Sequence, residues 1–195
     1  GFDQAVASLG TALTPGHASL MKRYTNDVLV CYDSDGAGTK AAIRAIGLLR
    51  NAGLRTRVIN MKPYKDPDEF IKGLGAEAFQ ERIDKAQNSF MYEISAMEQN
   101  YDLTDPDSKT RFFNEVAGRI VGFEEELERN NYIEAVADKY MVSMDALKAM
   151  VGNYGNRVGI VKDRPDSRRT SSSHKEKEDG ISQAQKILLT WLVQD

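Results

Sequence analysis

The stretch VLVCYDSDGAG, Val28 to Gly38, decides the fold. Its first half is apolar and rich in β-branched residues, as in a strand buried on both faces. It ends on Asp33 and Asp35, with Gly36 and Gly38 close behind. Two like charges one residue apart repel unless a cation offsets them. Open α/β sheets hold ligands just beyond the carboxyl ends of their strands, where this pair falls. Oxygen donors without a neighbouring histidine favour Mg²⁺ or Mn²⁺ over zinc. The glycines let the backbone turn tightly and approach phosphate, and a helix starting near Thr39 aims its N-terminus at the same spot. Lys40 is a candidate phosphate contact, and equally an ordinary solvated helix residue. The whole motif also fits a turn whose aspartate caps the next helix, and spacing alone does not choose.

The flanks extend the pattern. GTKAAIRAIGLLRNAG reads as a helix with a broad apolar face, and Gly53 is its stop. RTRVINM, from Arg55, is a second strand. Upstream, Ala5–Leu9 is a short apolar strand candidate, and Thr14 with Pro15 opens a helix. The alternation predicts a mostly parallel sheet with helices packed over it. After the second strand, KPYKDPDEF carries Asp66, Asp68 and Glu69. If the strands are neighbours, these acids face the crevice of Asp33 and Asp35. Converging carboxylates there can hold two divalent ions about 4 Å apart, the arrangement of nucleotidyl transfer. Alone, the same run reads as a helix start capped by Asp66 or Asp68.

Four regions follow. Residues 1–75 form the α/β part. Residues 76–158 are helical throughout by their apolar spacing, with an Asp-Pro-Asp start at Asp105 and Ser143 as a later cap. Residues 159–180 are charged, Ser-rich and without apolar periodicity, hence a linker. Residues 181–195 restart a helix through Ile187, Leu188 and Trp191, as the first helix of a further domain. Of 195 residues, 41% are hydrophobic and 28% charged, so a sizeable core is possible. The net charge of −3 predicts no strong overall pull toward nucleic acid or anionic membrane. The single cysteine, Cys31, rules out an internal disulfide framework and a cysteine zinc cluster. No apolar run approaches the length of about 18 residues that spans a membrane. A reducing cytoplasm fits.

ASLGTALT, then VLVCYDSDGAGTKAA, then KDPDEF, in that order, resemble the Toprim segment of bacterial DNA primases. The helical region is similar to that family's helical subdomain, and the last helix to the start of its helicase-binding domain. The resemblance implies a Rossmann-like Toprim fold followed by an all-α bundle. It implies that Asp33 and Asp35 are catalytic metal ligands, that Asp66 and Asp68 support the metal site, and that Gly10 and Thr11 line the same crevice. The implied activity is synthesis of short RNA primers on single-stranded DNA from nucleoside triphosphates, with Mg²⁺ or Mn²⁺, beside the replicative helicase at the fork. One departure is Ser34, where the family usually has glycine between the aspartates; Gly36 is expected to restore the turn. The family's Toprim glutamate and first strand, its zinc-binding domain and its template-binding subdomain are expected upstream of Gly1. On that reading the chain is an internal piece, inactive by itself, with an exposed sheet edge.

Other readings share single features. Haloacid-dehalogenase-like phosphatases also end a strand on Asp-x-Asp-Gly, with a nucleophilic first aspartate, but there the motif opens the domain. A Toprim topoisomerase or nuclease fits the helical region poorly. A non-catalytic helicase-docking module would use the helices and leave the α/β part as scaffold.

Overall fold

The computed structural model describes residues 2–8 and 12–158. Gly10 and Thr11, the linker at 159–180 and the helix expected at 181–195 lie outside the described residues.

Strand β1 (Asp27–Val30) and strand β2 (Arg55–Val58) pair in parallel, Asp27 opposite Arg55 and Val30 opposite Val58. Helix α2 (Gly36–Asn51) joins them, and Gly53, at φ +74°, makes the left-handed turn that releases the chain into β2. α2 buries Ala42, Ala45, Ile46 and Leu49, positions three and four apart that form one stripe. Helix α1 (Pro15–Lys22) packs on the same side through Ala18 and Met21. Its start is a closed capping box: the His17 N–H donates to Thr14 Oγ1 at 3.2 Å, and the Thr14 N–H to His17 Nδ1 at 3.4 Å. Histidine thus does the work usually given to glutamate or glutamine.

The two-residue period of a strand sorts the remaining core. Val30 and Val58 face α1 and α2. Cys31, Ile59 and Met61 pack on the other side with Phe70 and Phe79 of helix α3 (Pro67–Asp84). A two-residue strand β3 (Gln87–Asn88) then adds to β2 in antiparallel sense, so the sheet order is β1-β2-β3. Helices α4 (Ser89–Glu98), α5 (Pro106–Val121), α6 (Glu126–Tyr140) and α7 (Met144–Val158) enclose a separate core around Phe90, Phe112, Val116, Ile120, Val136 and Leu147.

The structure differs from the sequence reading at several points. Ala5–Ser8 is irregular and exposed, not a strand: Val6 is 79% exposed, so the apolar residues there find no core. The stretch expected to be helical throughout contains β3. Asn88 caps the start of the next helix, its Oδ1 accepting from the N–H groups of Phe90 and Met91, and two residues are too few for a period to register. α3 begins at Pro67 and carries through residue 75, where Gly75 takes φ +85° and kinks it.

The α/β part and the helical part share α4. Tyr92 on one face packs into the core of α1, α2 and β2, while Phe90, Ile94 and Met97 belong to the bundle. Between them lies Glu93, 6% exposed. Its carboxylate meets Arg50 of α2 at 3.0 Å and Arg119 of α5 at 3.8 Å. A carboxylate this buried is costly unless a cation pairs with it. Replacing Glu93 by Gln should lower the unfolding free energy by about 1.5–3 kcal/mol, the loss of a charge-assisted hydrogen bond. Arg50→Met should cost less than about 1 kcal/mol, because Arg50 is partly solvated and Arg119 remains. Urea midpoints of the two variants in the wrong order would refute this assignment.

Candidate acidic site at the strand ends

β1 runs out toward Asp33, and α2 starts three residues later. Asp35 is the N-cap of α2, accepting the Gly38 N–H at 2.6 Å. The turn is so tight that a Cβ on Gly38 would lie 2.0 Å from the Asp33 carbonyl oxygen. Gly38 is therefore the glycine the motif requires. Gly36 has open space around it and no positive φ, so the turn does not depend on it and the expectation placed on it is corrected.

The second acidic loop repeats the design. Asp66 is the N-cap of α3, its Oδ1 accepting the Glu69 N–H at 2.9 Å, with Pro67 at the first helical position. Glu69 Oε2 in turn accepts the Lys65 N–H at 3.2 Å. The two loops touch: the Ser34 N–H donates to the Lys65 carbonyl oxygen at 2.8 Å. Residue 34 lies between the paired aspartates and residue 65 directly precedes Asp66, so the loops stand side by side at one end of the sheet. Cys31 senses the same crowding. Its thiol is pushed up to about 11, first by burial and then by the charges of Asp33 and Asp66.

The carboxylates are not equivalent. Asp33 is exposed and its side chain has no partner among the described residues. Asp35 and Asp66 each spend one oxygen on a helix cap. Asp68 is held by Lys72 at 2.6 Å, one turn along α3 and exposed to solvent. That pairing raises the Lys72 pKa through the hydrogen bond and then the charge of Asp68. Lys40 is exposed at the fifth position of α2, also without a partner among the described residues. Among the described residues no group of three or more His, Cys, Asp or Glu side chains is gathered tightly enough to hold a metal ion. The donor set still suits a hard cation of the magnesium kind, which keeps several waters and needs one or two carboxylates plus substrate oxygens.

Next to Asp33 opens a cavity of about 120 Å³ that sequence reasoning missed. Its far wall comes from β3 and α4, through Gln87, Tyr92 and Gln99. Nothing local in their sequence marks them, because only the fold carries α4 back to β2. A larger cavity, about 320 Å³, runs along α3 past Phe70 and Leu74 and includes none of the four aspartates.

A Toprim-like family model matches residues 1–71. A model described as the DnaB-helicase binding domain of primase matches residues 90–145. That match falls on the helical bundle, whereas the resemblance puts the start of such a domain at residues 181–195. The DNA primase of Clostridium acetobutylicum is 34% identical over 151 residues, 77% of this chain and 25% of that protein. The chain thus spans about a quarter of the length of the curated relatives it matches. Among solved structures, the DnaG primase catalytic domain bound to single-stranded DNA matches with a TM-score of 0.58 and 30% identity, over 73% of this chain and 46% of that one. The Aquifex aeolicus primase, solved with its zinc-binding and RNA polymerase domains, matches with a TM-score of 0.51 and 34% identity, over 72% and 33%. The order of the acidic loops, the sheet that brings them together and these likenesses agree: the chain belongs to the family of Toprim-containing bacterial DNA primases.

Proposed function

We propose that this chain carries the metal-binding half of a primer-synthesising RNA polymerase that joins nucleoside triphosphates on a single-stranded DNA template. The observation that carries this is the backbone hydrogen bond from Ser34 to Lys65, which sets the two acidic loops side by side. Asp33, Asp35 and Asp66 would hold Mg²⁺ or Mn²⁺, with Asp68 available if it leaves Lys72. When bound, such ions lower the pKa of an attacking hydroxyl and neutralise the leaving pyrophosphate. The chain's own groups do the rest. The N-termini of α2 and α3 offer unpaired N–H groups and positive dipole ends to phosphate oxygens. Lys40 adds an exposed positive charge near the start of α2. Asp35 and Asp66 keep the loops rigid by capping, so their remaining oxygens are presented at fixed places. The single-stranded DNA in the related catalytic domain supports a template of that kind here.

Mn²⁺ titration followed by calorimetry and by water-proton relaxation tests the site. Asp33→Asn with Asp35→Asn should weaken binding at least tenfold, about 1.4 kcal/mol. Asp68→Asn alone should have a smaller effect than Asp66→Asn, because Lys72 already holds Asp68. Unchanged binding in the double variant refutes the site.

A second role rests on the bundle's match to the helicase-binding model. We infer that the replicative helicase docks on α4–α6. Leu127 and Met141, 73% and 94% exposed, are the large apolar side chains this stretch offers to solvent. Met141 also sits at φ +50°, a left-handed conformation that asparagine and aspartate tolerate better than methionine. Leu127→Asp with Met141→Asp should therefore fold normally and lose capture of the hexameric helicase by the immobilised chain. Full capture by a folded double variant would exclude this surface.

A further inference from the structure

We propose that the cavity beside Asp33 is a nucleobase pocket. This rests on the metal-site reading in one respect only, that the phosphates of the same ligand lie at the acidic loops. The cavity offers about 120 Å³ and is open to solvent on one side. That leaves room for a planar ring system whose substituents extend out of the opening. Its walls suit such a ring. Ala42 and Val58 are buried aliphatic surfaces, and Tyr32 and Tyr92 bring aromatic faces. Its hydrogen-bonding groups are largely unspent. The Gln99 amide and the hydroxyls of Tyr32 and Tyr92 have no partner among the described residues. Gln87 makes only a long contact to Ser95 Oγ, at 3.4 Å.

Charge decides which part of a nucleotide enters. Asp33 stands at the rim, so an anion in the cavity would meet a like charge. A neutral heterocycle meets none. An amide side chain can pair two adjacent groups on a base edge, and aromatic faces stack on any base. Phosphates attached to that base remain outside, where the N-termini of α2 and α3 present the opposite charge. The same ring chemistry is offered by a free nucleotide and by a base of a strand, and the test separates them.

The 195-residue chain is titrated in Mg²⁺ with ATP, with inorganic triphosphate and with an oligothymidylate, using calorimetry and tyrosine fluorescence. Two variants are compared: Gln99→Ala, which removes an exposed amide, and Ala96→Trp, which fills the cavity from α4 without removing a hydrogen bond. Thermal midpoints near wild type confirm that both fold. The expected result is that wild type prefers ATP over triphosphate by at least tenfold. Both variants should lose that preference while binding triphosphate as before. Sensitivity of the oligothymidylate alone assigns the pocket to a base of a strand. Equal affinity for ATP and triphosphate in wild type, with oligothymidylate binding untouched by Ala96→Trp, overturns the pocket and leaves the metal site standing. If triphosphate fails to bind, the metal-site reading falls. The pocket is then judged by adenosine and oligothymidylate, and indifference of both to Ala96→Trp overturns it too.

Discussion

The closest constraint in the molecule is the absence of a side chain at residue 38. The first turn of α2 lies directly on the backbone of Asp33, with room for hydrogen and nothing larger. This contact fixes where β1 ends, where α2 begins and how Asp33 leaves the sheet. Asp35 locks it from the other side by accepting the Gly38 N–H. The loop is thereby tied at both of its acidic residues, one through its carbonyl and one through its carboxylate. From this anchored loop Ser34 reaches Lys65, and the position of the second acidic loop follows. Moving α2 outward by the width of a methyl group would disturb all of these at once.

Caps and metal ligands are usually competing explanations for an aspartate after a strand. Here they are compatible, because a carboxylate has two oxygens and a cap consumes one. The electrostatics also make the combination sensible. A helix N-terminus repels a cation and attracts an anion. Carboxylates at the same place do the reverse. Two such ends side by side suit a ligand with both signs, a divalent ion carried with phosphate, better than either sign alone. Asp68 marks the limit of the arrangement: it lies two residues past the cap and is drawn to Lys72, one turn further on, instead.

Much of this was legible in the sequence. The apolar run into Asp33, the periodic stripe of α2 and the Pro and Gly punctuation are short-range signals, and they gave the parallel pair and its crossover. So did the caps, since Thr14, Asp35, Asp66, Asp105 and Ser143 each precede a helix and bond to its first turn. Ala5–Ser8 was misread because strand composition without a partner is not a strand. β3 was missed because its reason for existing is the edge of β2, more than two dozen residues earlier. Glu93 gave no sign of burial, since its partners Arg50 and Arg119 lie on two other helices.

α4 is where these long-range features converge. Its bundle face carries Phe90, Ile94 and Met97, its opposite face carries Tyr92, and Glu93 holds α2 and α5 to it. A helix pinned by two cores and a buried ion pair cannot shift without cost on both sides. It gives the cavity beside Asp33 a wall in which Tyr92 packs into the α/β core while Ser95, Ala96 and Gln99 line the opening. The bundle core around Phe90 and Phe112 and the wall of the cavity beside Asp33 therefore meet on one helix, a packed link that the local sequence of neither part announces.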